Sequence, residues 1–220
     1  MRRWVRENGL SIALFGLFIL FLSAQSLTGW RSSNADRQEH DQRTLGYGSY
    51  LTSAHFVEAT FENWESEFLQ MAAYVVLTAW LVQKGSSESK PPEGDPELDA
   101  NARMQRNKKD APGAVKKGGW RLVMYENSLG LAFAILFLMS ITLHAIGGAR
   151  EYSAEQVAHG GAPVPISQFV TTSTFWFQSF QNWQSEFLAV GMIVVLSIFL
   201  RQKGSPESKP VAAPQTETGS

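Results

Sequence analysis

Phe61-Glu62-Asn63-Trp64-Glu65-Ser66-Glu67-Phe68-Leu69 returns later in the chain as Phe180-Gln181-Asn182-Trp183-Gln184-Ser185-Glu186-Phe187-Leu188. Each copy leads into an apolar segment, Met71 to Val82 in the first and Ala189 to Leu200 in the second. Each segment ends in the same tail, Gln83-Lys84-Gly85-Ser86 and Gln202-Lys203-Gly204-Ser205. Sliding the chain by 119 positions, Asn63 onto Asn182, aligns both halves without a gap. Glu7-Asn8 then meets Glu126-Asn127, Gly29 meets Gly148 and Arg31 meets Arg150. Self-similarity over this length reads as an internal duplication.

Working outward, each motif is preceded by a longer apolar block, Leu10 to Leu27 and Leu129 to Ile146. At about 1.5 Å per helical residue, either block nearly covers the roughly 30 Å hydrocarbon core of a bilayer. Asn8 and Asn127 stand where N-caps belong. A cleavable signal peptide fits the first block poorly, because the same element recurs mid-chain. The blocks after the motifs, Phe68 to Val82 and Phe187 to Leu200, are short for a span. They reach across only if the Asn-Trp-x-Ser-Glu segment lies at or inside the outer boundary.

These blocks predict an all-α polytopic membrane protein with four transmembrane helices. The two-span units are parallel and related by a pseudo-twofold axis. The expected parts are a first unit at 1–84, a flexible cytoplasmic linker at 85–119, a second unit at 120–203 and a disordered cytoplasmic tail at 204–220. Lys and Arg crowd the N-terminus, the linker and the tail, while the other two loops hold only Arg31, Arg37, Arg43 and Arg150. Positive-inside bias therefore places both termini and the linker in the cytoplasm.

Composition narrows function mainly by exclusion. The 220 residues carry a formal net charge of −1, which gives no electrostatic reason to expect nucleic acid. There is no cysteine, so disulfides, thiolate metal sites and a cysteine nucleophile are ruled out. Phosphate-loop, zinc-protease and nucleophile-elbow motifs are absent. No cofactor, metal or catalytic residue is expected.

Two constellations remain. An aromatic seam runs through Tyr50, Ala54, Val57, Phe61, Trp64 and Phe68, and again through Phe169, Ser173, Trp176, Phe180, Trp183 and Phe187. Its four-and-three spacing predicts helices from about Ser49 to Lys84 and from about Ser167 to Lys203, with Phe61, Trp64, Phe180 and Trp183 turned inward. Short separate helices are expected before them, at 34–43 and 153–158. The seam serves either as packing or as an aromatic groove that includes Trp176.

The second constellation is polar. Asn63 with Glu67, and Asn182 with Glu186, lie four apart on one face. A carboxylate at membrane depth is costly and marks a candidate site, the alternative being an interfacial Glu beside a belt Trp. Counting helical rise from the cytoplasmic boundary sets Gln25 level with Glu67 and His144 level with Glu186, which predicts two polar pairs. Arg31 and Arg150 are rival partners for the two carboxylates, reaching down by snorkelling.

The paired Phe-x-Asn-Trp-x-Ser-Glu-Phe-Leu stretches, Glu-Asn-x-Leu before each odd span, and Arg-Gln-Lys-Gly-Ser-Pro-Glu-Ser-Lys-Pro at 201–210 resemble a family of bacterial integral membrane proteins described as a domain of unknown function. The resemblance implies a bacterial inner-membrane location and carries over no activity or site. The expected function is a non-enzymatic envelope or interaction protein. Its contacts are the lipid bilayer and a protein partner on the outer face. The alternative is a small transporter, channel or proton conductor using Glu67 and Glu186.

Overall fold

The computed structural model describes residues 3–219, and among them every regular element is helical. The first half carries α1 (Arg3–Glu7), α2 (Gly9–Glu39), α3 (Tyr47–Tyr50) and α4 (Ala54–Trp80). Two short helices, α5 (Gly113–Lys117) and α6 (Gly119–Glu126), follow the central linker. The second half carries α7 (Ser128–Ala158), α8 (Ile166–Phe169) and α9 (Ser173–Phe199). The bounds of α2, α3 and α4 recur 119 residues later as those of α7, α8 and α9 (Gly9 to Ser128, Tyr47 to Ile166, Ala54 to Ser173).

Three helices are long and apolar enough to cross a membrane: Gly9–Glu39, Ser128–Ala158 and Ser173–Phe199. Four were expected. The missing one is α4, which matches α9 at 27 residues but carries Glu58, Glu62, Glu65 and Glu67 within it. Four acids in seven turns lower its hydropathy below that of a free-standing span.

Several local expectations change, and the changes recur at equivalent positions. Asn8 and Asn127 do not cap forwards; each amide donates back to the carbonyl four residues earlier, Trp4 (2.9 Å) and Val123 (2.8 Å), and so closes the helix before it. The expected short helices at 34–43 and 153–158 are not separate. α2 and α7 run through 31 residues each, about 46 Å. Both end on a left-handed residue, Asp41 (φ 54°) and Gly160 (φ 80°). The following N–H groups reach back across that turn, Gln42 to Arg37 (2.7 Å) and Gly161 to Gln156 (2.8 Å), which satisfies carbonyls that the helix end would orphan. The long seam helices start at Ala54 and Ser173 rather than near Ser49 and Ser167. A turn intervenes, and Ser53 Oγ and Thr172 Oγ1 accept from the N–H of Phe56 and Phe175 at 3.3 Å. Both seam helices end before Lys84 and Lys203, at Trp80 and Phe199, and neither breaks at Asn63 or Asn182.

The chain divides into two compact units. The first holds the residues up to Phe61 together with Thr142–Phe175. Its core is aromatic: Tyr50, Phe169 and Phe175 are buried, and Phe169 lies edge-on to Phe175 at 5.5 Å. Gly29 faces the Tyr50 ring and Gly148 the Phe169 ring, and a side chain at either glycine would collide with it. Gly147 lies against the backbone of Glu58, where a Cβ would approach its N to 2.7 Å.

The second unit holds Glu62–Ile141 together with the chain from Trp176 onward. In it the repeated Lys-Gly-Ser tails form the same loop twice. Gln83 N–H donates to Ser89 Oγ (2.9 Å) and Gln202 N–H to Ser208 Oγ (2.8 Å). Gly85 (φ 87°) and Gly204 (φ 85°) take the left-handed turn that permits the loop. These segments lack a core-forming pattern; local side-chain-to-backbone bonds build the loops instead. The first loop also contacts the second half: the Ser86 and Ser197 hydroxyls share a buried hydrogen bond of 2.8 Å, and Gly85 N–H donates to Thr218 Oγ1 (2.7 Å).

Candidate functional site

Within the second unit, α4 and α9 meet through a carboxylate that sequence reasoning passed over. Glu65 has no solvent exposure. Its Oε1 accepts from Ser179 Oγ (2.8 Å) and from Trp183 Nε1 (3.1 Å). One turn earlier, Glu62 Oε1 accepts from Asn182 Nδ2 (2.6 Å). Glu62 and Glu65 lie three apart on α4, and Ser179, Asn182 and Trp183 lie three and four apart on α9, so each set shares a helix face. A buried carboxylate without donors costs several kcal/mol or takes up a proton. Two donors from the facing helix offset that cost at Glu65, and with the Asn182 bond to Glu62 they hold the two helices in one register.

Helix geometry explains why Glu65 is chosen over Glu67. At 100° per residue, position 65 falls beside Phe61 and Phe68 on the seam, and position 67 falls on the flank. Glu67 is accordingly exposed and Glu186 half-buried. Gln25 is exposed and His144 is fully buried, stacked on Phe175 with ring centroids 5.0 Å apart. Both belong to the first unit, as do Arg31 and Arg150, whereas Glu67 and Glu186 belong to the second, so the expected pairs are divided between the two units. Asn182 joins the clasp; Asn63 faces outward and its carbonyl accepts from Ser66 Oγ (2.7 Å).

The aromatic expectation is met unevenly. Trp183 is half-buried, its indole edge-on to Phe137 (6.2 Å), Trp176 (6.3 Å) and Phe180 (5.4 Å). Trp64 is half-buried beside Phe68, and Phe61 is half-buried in the first unit. Phe180 does not turn inward: it is 55 % exposed, and Trp176 beside it is 40 % exposed. Trp176, Phe180 and Trp183 thus form one cluster whose outer faces are open.

A signal for the missed residues was present in the duplicated motif. Glu62 and Glu65 are acids in the first copy and glutamines, Gln181 and Gln184, in the second, whereas Glu67 and Glu186 are acidic in both. Difference between copies, rather than identity, marks the clasp.

These features define an all-helical protein with helices able to cross a membrane, two of whose long helices are joined by a buried carboxylate. A family model described as a domain of unknown function (DUF6766) matches residues 1–220, and the chain belongs to that family. No curated protein and no solved structure gives a match.

Proposed function

We propose that the protein is a non-enzymatic, integral interaction protein of a bacterial inner membrane, with an aromatic platform on α9 offered to a protein partner. The observation that carries this reading is the pairing of a rigid clasp with an open aromatic face. Glu65 and Glu62 hold α4 to α9, and on the same helix Trp176 and Phe180 remain exposed beside Trp183. Aromatic anchors on a preorganised helix suit partner binding, since little ordering cost remains to be met on association.

In this reading the chain arose by internal duplication, supported by the recurrence of helix bounds, caps and loops at one interval. α4 serves as the fourth span. Donors from α9 satisfy two of its glutamates, which reduces the cost of placing them near hydrocarbon. Two spans per half return the chain to its starting side, giving parallel halves with cytoplasmic termini. Fusions of a cytoplasm-active reporter after Lys90 and after Lys209 are expected to be active, and one at Arg43 silent.

Photo-crosslinking tests the platform. A crosslinker at Phe180 is expected to trap one discrete protein product in membranes, and the same group at Gln184 is not. Equal products from both positions would reject the platform. A second reading, conduction of protons or a small solute, draws on the fully buried Glu65 carboxylate rather than on the Glu67 and Glu186 first expected. Proteoliposome flux that is lost in Glu65→Gln would favour it over the interaction reading.

A further inference from the structure

The first unit contains a cleft of about 720 Å³. Ala149, Ser153 and Val157 of α7 form one wall, Val164 and Ile166 the other. Among the described residues, Arg150 is the one charged group that lines it. The equivalent place in the first half is filled. There Trp30 donates its indole N–H to the Leu45 carbonyl (2.7 Å) and lies edge-on to Tyr47 (5.7 Å). Asn34 makes two bonds to the Leu45 backbone, at 2.7 and 2.9 Å. At the matching positions the second half carries Ala149 for Trp30, Ser153 for Asn34, Val164 for Leu45 and Ile166 for Tyr47. Only one of the bonds survives, from Val164 N–H to Ser153 Oγ (3.0 Å). An indole and a phenol ring have been exchanged for smaller aliphatic groups at the place where the cleft lies.

Arg150 is exposed, and no described hydrogen bond or ion pair engages it. Positions 153 and 154, which share its helix face, are Ser and Ala; the acids of α7, Glu151 and Glu155, stand one and five positions on, outside that three-and-four spacing. It is the first charge after the apolar run that ends at Ile146, about 6 Å further along the helix. That is headgroup level for a span.

We propose that this cleft is a binding site for the headgroup of one anionic phospholipid, its phosphate on Arg150 and its headgroup extending outward between Val157 and Val164. A guanidinium suits phosphate in a two-pronged geometry. The lining from Ser153 to Val157 lies further along α7 than Arg150, so the cleft receives the headgroup while the acyl chains stay level with the apolar run.

Native mass spectrometry of the full-length chain in detergent tests this, with phosphatidylglycerol, phosphatidylcholine and oleate titrated separately. The wild type is expected to retain one phosphatidylglycerol with roughly tenfold preference over phosphatidylcholine, the scale of one charge-assisted contact. Arg150→Gln is expected to lose that preference, and Arg31→Gln to keep it, since Arg31 stands beside the filled position. The double change Ala149→Trp with Ser153→Asn rebuilds the first half's filling and is expected to expel the lipid. If that variant does not fold by circular dichroism, the two arginine variants decide alone. Equal retention of phosphatidylcholine, or equal losses from Arg31→Gln and Arg150→Gln, overturns the site as general headgroup attraction. Displacement of phosphatidylglycerol by oleate at equal concentration overturns the phospholipid assignment.

Discussion

The helix bounds of the two halves recur at one interval while many side chains differ, and two of the differences carry chemistry. At the loops after α2 and α7, the first half fills its space with Trp30, Asn34 and Tyr47, and the second leaves a cleft lined by Ala149, Ser153 and Ile166. At the motif, the first half supplies the acceptors Glu62 and Glu65, and the second supplies the donors Ser179, Asn182 and Trp183. Helices with matching bounds can thus carry polar chemistry that is one-sided. Complementarity requires it: two copies of the same buried acid would repel, whereas an acid facing a hydroxyl, an amide and an indole N–H is satisfied.

The largest test of this comparison is the clasp. Glu65→Leu leaves the buried Ser179 hydroxyl and the half-buried Trp183 N–H without this acceptor, and is expected to cost about 2–4 kcal/mol, read as a lowered thermal midpoint in nanodiscs. Glu65→Gln keeps an acceptor and is expected to cost about 1 kcal/mol. The same truncation at the exposed Gln184 is expected to stay within about 0.5 kcal/mol. Equal losses at positions 65 and 184 would make the halves equivalent after all.

The loop anchors come next. Asn34→Ala removes both bonds to Leu45 and is expected to cost about 1–3 kcal/mol, against about 0.5–1.5 kcal/mol for Ser153→Ala, which removes one. Equal costs would mean that the extra Asn34 bond contributes nothing. The helix ends give a smaller contrast of opposite sign. Asp41 takes a left-handed conformation without being glycine, so Asp41→Gly is expected to stabilise by about 0.5–1 kcal/mol, and Gly160→Ala to destabilise by about 1 kcal/mol. Two changes of the same sign would break the equivalence of these caps.

The smallest effect lies in the linker. A hydrogen bond from Lys90 (2.7 Å) holds the Asp99 carboxyl below the usual carboxylate range. Because the folded value is the lower one, the bond's contribution is complete above the unfolded carboxyl range and fades as pH falls through the folded value. Lys90→Met is expected to move the Asp99 titration, followed by NMR, up toward its ordinary range. An unmoved titration would remove Lys90 as the cause. Lys209, at the equivalent place in the tail, donates instead to the carbonyls of Pro214, Gln215 and Glu217, so the same substitution there has no carboxylate to release.

Much of the fold was legible in the motif and its recurrence, because a gapless repeat constrains both halves at once. The helical class and the two long odd helices follow from apolar runs that have few other ways to bury their backbone bonds. The boundaries were less legible. Ser49 and Ser53 are both plausible caps, and only the turn at 51–53 selects Ser53. Helical rise sets Gln25 level with Glu67 and His144 level with Glu186, but it gives height and not azimuth, and the two members of each pair fall in different units. Glu65 is not among the residues common to both copies; its mark in the sequence is the change to Gln184.

The sequence by itself determined the helical class, the interval of 119 residues between Asn63 and Asn182, and the apolar segments long enough for a bilayer. Each rests on local pattern and length, which one dimension contains in full. Only the tertiary structure decided that Glu65 rather than Glu67 is buried, that Ser179 and Trp183 are its donors, that Phe180 faces outward, and that Ala149 borders a cleft where Trp30 packs against Tyr47 and bonds Leu45. These depend on which face of one helix meets which face of another. At the clasp that choice is made by packing between residues more than a hundred positions apart, and at the cleft by how the loop after α7 folds back on it.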